Sequence, residues 1–327
     1  MKLAVIGLGA MGWNHVRVAR ELGALSAVAD LSAEARSKAE KMYGVPASAD
    51  PAAAFRQADA VVIATPTATH VELALAAIAA GKHVLVEKPL ADTRHHAVAI
   101  VDAAHDAGVT LAVGHIERHN PVVAYAKKAL QSGDIGRLLT MTGRRVSSYP
   151  GRIRDVGCIL DIGIHEIDIA RYLAGSEATA VHALAGSSRT DGREDHAVIQ
   201  LGFANGVAAS IETNWLTPMR VRKCALTCTD ALVELDYMAQ AARISRSQFI
   251  DTSNPAKYSP DLEYDAREIA LRRQEPLRNE IEDFLGAAQH RRTPLVGGKD
   301  GLQALRIAEA AMESVRSGRS IHLDPHP

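Results

Sequence analysis

Cysteine is scarce in this chain. Cys158, Cys224 and Cys228 make an odd count, and no two form a C-x-x-C pair. That argues against a disulfide framework and against the usual zinc or dithiol motifs, and leaves three idle thiols in a reducing compartment. Net charge is lacking too: Lys+Arg 37 against Asp+Glu 38 leaves −1. No overall field draws such a chain to nucleic acid or to an anionic membrane, so neither is an expected partner. No stretch approaches the ~20 apolar residues of a membrane span. The apolar run after Met1-Lys2 reaches Gly7, Gly9 and Gly12 almost at once, without a cleavage site. A signal peptide is therefore not expected and a cytoplasmic location is. What the chain does have is ordinary soluble composition, 47% hydrophobic and 23% charged over 327 residues. That length suits two domains of roughly 150 residues, able to build their cores without disulfides or metal.

Residues 1–120 alternate short apolar runs with helical segments. Lys2–Ile6 is too short for a helix and ends in glycines, so it reads as a buried parallel strand. A helix over 14–22, a strand over 25–29 and a helix capped by Ser32 and stopped by Gly44 follow. Strands are predicted over 60–64, 83–86 and 110–113, with helices over 71–80 and 96–107. Such alternation means right-handed βαβ units, a doubly wound parallel sheet over 1–120.

From residue 121 the pattern changes. After a helix over 122–131, runs over 138–146, 181–185, 196–203, 207–214, 223–227 and 231–235 read as antiparallel strands. Asn205-Gly206 is a hairpin signal between two of them. A helix over 162–173 interrupts the strands, polar 249–260 reads as a surface loop, and helices over 276–290 and 298–317 end the chain. The fold class is thus α/β followed by an α+β domain over 121–327 with an open antiparallel sheet. Its last helices are free to pack back on the first domain.

Gly7-Leu8-Gly9-Ala10-Met11-Gly12 is G-x-G-x-x-G between a strand and a helix. Gly7 permits the tight turn, Gly9 lets backbone approach a pyrophosphate, and Gly12 lets helix and strand pack closely. The helix N-terminus faces the anion. Asp30 ends the second strand, where a carboxylate holds the adenosine ribose hydroxyls. Its charge repels a 2′-phosphate, and Leu31 and Ser32 offer no cation, so NAD is favoured over NADP. Alternatively, Asp30 caps a helix. Glu87-Lys88-Pro89 follows a strand, which aims Lys88 into the cofactor crevice, where a cation can polarise a substrate oxygen and relay a proton. Asp161 and His165 stand at i and i+4 of a helix that begins here. A histidine can accept a hydroxyl proton near neutral pH, and a neighbouring carboxylate can orient it. An N-cap aspartate with a half-buried histidine is the plainer alternative. A metal centre is not expected, because hydride transfer to a nicotinamide needs none.

The ordered set Gly7-x-Gly9-x-x-Gly12, Asp30, Ala64-Thr65-Pro66-x-x-x-His70, Glu87-Lys88-Pro89 and Asp161-x-Gly163-x-His165 resembles the Gfo/Idh/MocA family of NAD(P)-dependent sugar and polyol oxidoreductases. The resemblance runs to Gly318-x-x-Ile321. It implies a Rossmann domain joined to an open-faced antiparallel sheet, with Lys88, Asp161 and His165 around the reacting carbinol and a cis Lys88–Pro89 peptide. Ala10, Met11, Thr65, Pro66, His70 and Glu87 join the glycines, Asp30 and Lys88 as expected cofactor-site residues. Dimers or tetramers are expected.

Two further segments, 113–121 and 152–157, resemble a branch that includes UDP-N-acetylglucosamine 3-dehydrogenases. Those enzymes oxidise a sugar C3 hydroxyl ahead of transamination to a 2,3-diamino sugar. The expected substrate is accordingly a nucleotide sugar, bound by His115, Arg118, Asn120, Tyr149, Arg152, Arg154 and His165. Guanidinium groups suit a diphosphate, and Arg144, Arg145, Arg152 and Arg154 crowd one segment. Salt bridges or subunit contacts account for any one of them equally well. Tyr149 or Tyr237 is a candidate to stack on uracil. An inositol or simple sugar dehydrogenase, a non-catalytic NAD-binding sensor, and an enzyme that recycles a retained cofactor remain open.

Overall fold

Four residues without a polar side chain, Leu3–Ile6, form strand β1, and all four are buried. Such a strand needs cover on both faces, the condition of a parallel sheet flanked by helices. In the computed structural model, which describes residues 1–151, 156–189, 192–251 and 261–324, that sheet has six strands. They are β1, β2 (Leu25–Ala29), β3 (Ala47–Ser48), β4 (Ala60–Ile63), β5 (His83–Glu87) and β6 (Leu111–Gly114). Every neighbouring pair is parallel, in the order β3-β2-β1-β4-β5-β6. The order reverses between β1 and β4, and ligands of open α/β sheets bind outside the carboxyl ends at such a switch point.

Helices α1 (Ala10–Glu21), α2 (Ala33–Tyr43), α3 (Pro51–Phe55), α4 (His70–Ala79) and α5 (Arg94–Asp106) make the connections. Ser32 Oγ accepts from Ala35 N at 3.2 Å, and Gly44 closes α2 in the left-handed region. Sequence reasoning missed β3 and α3. Two strand residues carry no periodicity, and the cue for α3 is local: Asp50 caps it before Pro51.

The chain divides into two units, Met1–His119 with Gln274–Arg306, and Asn120–Arg273 with Ile307–Pro327. Helix α8 (Pro276–His290) and the first part of α9 (Gly298–Ser317) thus belong to the first unit. Ile281 and Phe284 of α8 join Leu3, Val5, Val28 and Leu85 in its buried core.

The second unit holds helices α6 (Pro121–Ser132) and α7 (Ile164–Ala174). Its strands are β7 (Leu138–Ser148), β8 (Ala178–Gly186), β9 (His196–Phe203), β10 (Ala208–Asn214), β11 (Leu216–Cys228), β12 (Leu232–Asp236), β13 (Ala241–Asp251), β14 (Asp261–Ala270) and β15 (Ile321–His322). They form one sheet, β14-β13-β12-β11-β7-β10-β9-β8-β15. The expected antiparallel sheet is in fact mixed, because β10 runs parallel to β7. Between those two strands the chain makes α7 and the β8–β9 hairpin, a crossover long enough for parallel pairing. The Asn205-Gly206 turn does join antiparallel β9 and β10, with Gly206 at φ 85. The loop expected over 249–260 is strand at its start, and its residues 252–260 lie outside the described ones. Burial alternates along β9 and β12, so one face is covered. Helix α7 packs on β7 and β10, and α6 on β12. The other face carries the ion pairs Arg144–Glu212, Lys223–Asp236 and Arg243–Glu268.

Candidate active site

The first unit gathers its site residues at the carboxyl ends of β1, β2, β4 and β5. Gly7 has φ +90, and a Cβ there would lie 2.8 Å from Ala64 O and Thr65 Cγ2. A Cβ on Gly12 would come within 1.8 Å of Gly7 O, so α1 can approach the loop only without a side chain. Gly9 differs, for nothing lies within 4 Å of its missing Cβ. It caps α1 with no side-chain hydrogen bond and no acidic residue in the first turn, which leaves the amides of Ala10, Met11 and Gly12 to face an anion. Ala10 is exposed and Met11 half-buried.

Asp30 is fixed against this loop. Its Oδ2 accepts from Leu8 N at 2.6 Å and its Oδ1 from Ser32 N at 2.7 Å. Ser32, not Asp30, caps α2. Each carboxylate oxygen keeps a second lone pair for a hydroxyl donor. A cation does stand close by: Arg36 donates to the carbonyls of Asp30 and Leu31 at 2.8 and 3.0 Å, so it braces the turn. An open Gly9 face, an uncapped helix terminus and an anchored acidic strand end fit a dinucleotide.

Thr65 and Pro66 follow β4, and His70 ties that loop to the next one. Its Nε2 lies 3.0 Å from Thr65 O and its Nδ1 3.0 Å from Pro89 O. Burial lowers its pKa, against smaller opposing effects of those carbonyls. The neutral imidazole donates to one of these carbonyls and lies against the other, so His70 holds the Thr65 and Pro89 loops together. Glu87 likewise turns inward. Its Oε1 pairs with buried His15 Nε2 at 2.7 Å, and its Oε2 accepts from Lys88 N at 3.3 Å. Burial pushes this carboxyl up, but the His15 hydrogen bond and the nearby Lys88 bring it below its ordinary value. Glu87 therefore supports the backbone of half-buried Lys88, whose peptide to Pro89 is cis. Sequence reasoning missed His15. Its signal is its place one turn after Gly12, on the buried face of α1.

In the second unit, Asp161 lies in a π-helical turn, Ile159–Gly163, that runs into α7, and His165 sits in the first turn of α7. Both are half-buried. The helix thus starts earlier than the sequence suggests, and Cys158, not Asp161, holds the N-cap position. π-turns of this kind recur at functional sites. Glu194 braces the turn by accepting from Ile159 N at 3.1 Å.

Several expected substrate ligands are committed elsewhere. Arg118 is 3% exposed and bonded to Asp300 and to Leu295 O. Asn120 caps α6 and donates to Tyr237 O. Arg145 pairs with Glu166 inside the second unit, and Arg144 with Glu212. Tyr237 is buried, its hydroxyl donating to Glu166 Oε2 at 3.2 Å, so it is no stacking platform. Tyr149 keeps an exposed face and meets Trp215 edge-on at 6.0 Å. His115 is buried. Arg152 and Arg154 lie outside the described residues. The three cysteines are buried and unpaired, and burial raises their thiols, Cys228 to about 11.

Comparison with known proteins agrees with this geometry. Residues 1–115 match an oxidoreductase-family NAD-binding Rossmann fold, 123–234 a GFO/IDH/MocA C-terminal domain, and 238–323 an oxidoreductase-family C-terminal alpha/beta domain. The chain is 29% identical to a UDP-N-acetylglucosamine 3-dehydrogenase of Acidithiobacillus ferrooxidans, over 96% of each chain. It is 31% identical to inositol 2-dehydrogenase 2 of Saccharopolyspora erythraea, over 100% of this chain and 97% of that one. A solved structure of the Acidithiobacillus enzyme superposes with a TM-score of 0.87 at 27% identity, covering 97% of this chain and 98% of that one. With its NAD-binding Rossmann unit and both C-terminal segments accounted for, the chain belongs to the Gfo/Idh/MocA family of oxidoreductases.

Proposed function

We propose that the chain is an NAD-dependent dehydrogenase that oxidises the C3 hydroxyl of UDP-N-acetylglucosamine to the 3-keto sugar nucleotide. The observation that carries this reading is the similarity to a UDP-N-acetylglucosamine 3-dehydrogenase, over 96% of both sequences and again in the fold. Gly7, Gly9, Gly12 and Asp30 would hold the dinucleotide, which when bound supplies the hydride acceptor. His165 takes the C3 hydroxyl proton, and Asp161 orients the imidazole. Lys88 hydrogen-bonds the same oxygen and stabilises its developing negative charge. Glu87 holds the Lys88 amide and His70 meets the Pro89 carbonyl, so both brace this backbone.

A second reading is an inositol or simple sugar dehydrogenase. The whole-length similarity to an inositol 2-dehydrogenase favours it. So does the spending of Arg118, Arg144 and Arg145 on carboxylates, which leaves the diphosphate to Arg152 and Arg154. The test is initial-rate NADH formation with UDP-N-acetylglucosamine, myo-inositol and glucose side by side. A kcat/KM for the nucleotide sugar at or below that of either free polyol refutes the first reading. The uncovered face of the nine-stranded sheet, with its rows of ion pairs, suits self-association. A homodimer or homotetramer in a cytoplasmic setting completes the proposal, and sedimentation as a monomer at micromolar concentration contradicts that part.

A further inference from the structure

Beneath the Lys88 loop, three side chains from separate elements of the first unit meet away from solvent: His15 of α1, Glu87 at the end of β5 and Glu280 of α8. Their donor atoms lie within 4.8 Å of one another. His15 and Glu87 are engaged with each other. Glu280 is 2% exposed, and among the described residues neither of its carboxyl oxygens has a hydrogen-bond partner. Besides His15, the charged groups that face it are acidic: Glu87, Glu117 from the short turn Ile116–His119, and Asp283 on its own helix. An ionised carboxylate buried without a partner is so unfavourable that such a group takes up a proton instead.

We propose that Glu280 is a neutral carboxylic acid that acts as a positioning residue, restricting the negative charge beneath Lys88 to the single carboxylate of Glu87. Burial first, and then the charge of Glu87, raises the Glu280 carboxyl well above the usual range, while Glu87 ends below its own. Two carboxyl groups in unlike surroundings separate their roles in this way. Because Glu87 accepts from the Lys88 backbone, the field at Lys88 depends on which carboxyl holds the proton. Only this consequence rests on the proton-handling role given to Lys88. The proton on Glu280 is tested without turnover.

The experiment compares thermal and denaturant unfolding of the wild-type chain and Glu280→Gln from about pH 5 to about pH 8. Glutamine keeps the shape and charge of the protonated acid and does not titrate. The unfolded wild-type chain loses this proton near pH 4.3 while the native chain keeps it. The wild-type folding constant should therefore fall relative to the variant by about tenfold per pH unit until native Glu280 ionises. A ratio that stays constant across this range overturns the proposal, since an already ionised Glu280 has no proton to lose. One equivalent of a divalent transition metal in purified wild-type protein, absent from Glu280→Gln, also overturns it, in favour of a His–Glu–Glu coordination site. Should the variant not fold, the infrared carbonyl band of a buried carboxylic acid reads the same proton in wild-type protein at neutral pH. Its presence supports the proposal and its absence overturns it.

Discussion

Arg145→Met separates a structural arginine from a substrate ligand. Arg145 is 2% exposed on β7, its Nε is 2.9 Å from Glu166 Oε1, and Glu166 is fully buried beside His165 at the start of α7. Methionine fills much of the same space without the charge. Glu166 then keeps the hydrogen bond from Tyr237 but loses the Arg145 guanidinium. Removing one partner of a buried ion pair costs about 3–5 kcal/mol, and because Glu166 keeps other support the expected loss is near the low end, about 3 kcal/mol. At roughly 2–4 °C per kcal/mol for a domain of this size, Tm should drop by roughly 6–12 °C. Arg145→Met/Glu166→Leu removes both charges of the pair and should recover at least half of that loss. Thermal melts of the three proteins, read beside KM for the nucleotide sugar, decide the matter. An unchanged Tm with a raised KM would refute the reasoning and return Arg145 to the substrate site.

Four other outcomes are expected. Lys88→Ala should lower kcat by at least ~10²-fold, the low end for positioned proton-transfer groups, with NADH affinity by fluorescence little changed; near-wild-type turnover excludes the assignment. Asp30→Ala should weaken NAD and relax discrimination against NADP, since the carboxylate also anchors Leu8 and Ser32; an unchanged ratio of kcat/KM for the two cofactors counts against the ribose contact. Gly12→Ala drives a Cβ to 1.8 Å from Gly7 O, so stability should fall by about 1–3 kcal/mol and NAD affinity with it; a wild-type melting curve would contradict that packing. His70 has a lowered pKa, burial being the largest cause. Its unfolded form binds a proton below about pH 6.5 that the native form refuses, so stability relative to His70→Gln is complete above that value and is lost as pH falls. Calorimetry at about pH 7 and about pH 5 should show the gap closing, and a pH-independent gap excludes the mechanism.

The parallel sheet was legible because its signals are local. Short apolar runs closed by turn residues, such as Ala60–Ile63 before Thr65-Pro66, read as buried strands, while the Ser32 hydroxyl and the left-handed backbones of Gly44 and Gly133 mark helix ends. The second sheet was legible strand by strand but not in its order. Nothing in 208–214 announces that β10 will lie parallel to β7, since that pairing depends on the route taken by the intervening crossover. Strands β13 and β14 carry polar or charged residues at about half of their positions, as in Glu263, Asp265, Arg267 and Glu268 along β14, so periodicity has little apolar contrast to report.

The site divides along the same line. Residues whose role is set by neighbouring backbone stand where the motifs put them: the glycine loop, Asp30 at its strand end, and Lys88 after β5. Residues whose role depends on a distant partner do not declare it. Arg118 finds Asp300, Glu87 finds His15, and Asn120 donates to Tyr237 O. Counting arginines in 144–154 overlooks a rule available from the sequence itself. Successive residues on a strand face opposite ways, so Arg144 and Arg145 cannot both reach one ligand. Whichever turns inward must meet a buried carboxylate, because an unpaired guanidinium is not tolerated there. Glu166, beside the proposed base on the helix that covers β7, is that carboxylate, and its ion pair fixes the start of α7 on the sheet. The arginine that resembled a diphosphate ligand is thus committed to Glu166 in the interior of the second unit, on the turn of α7 that also carries His165.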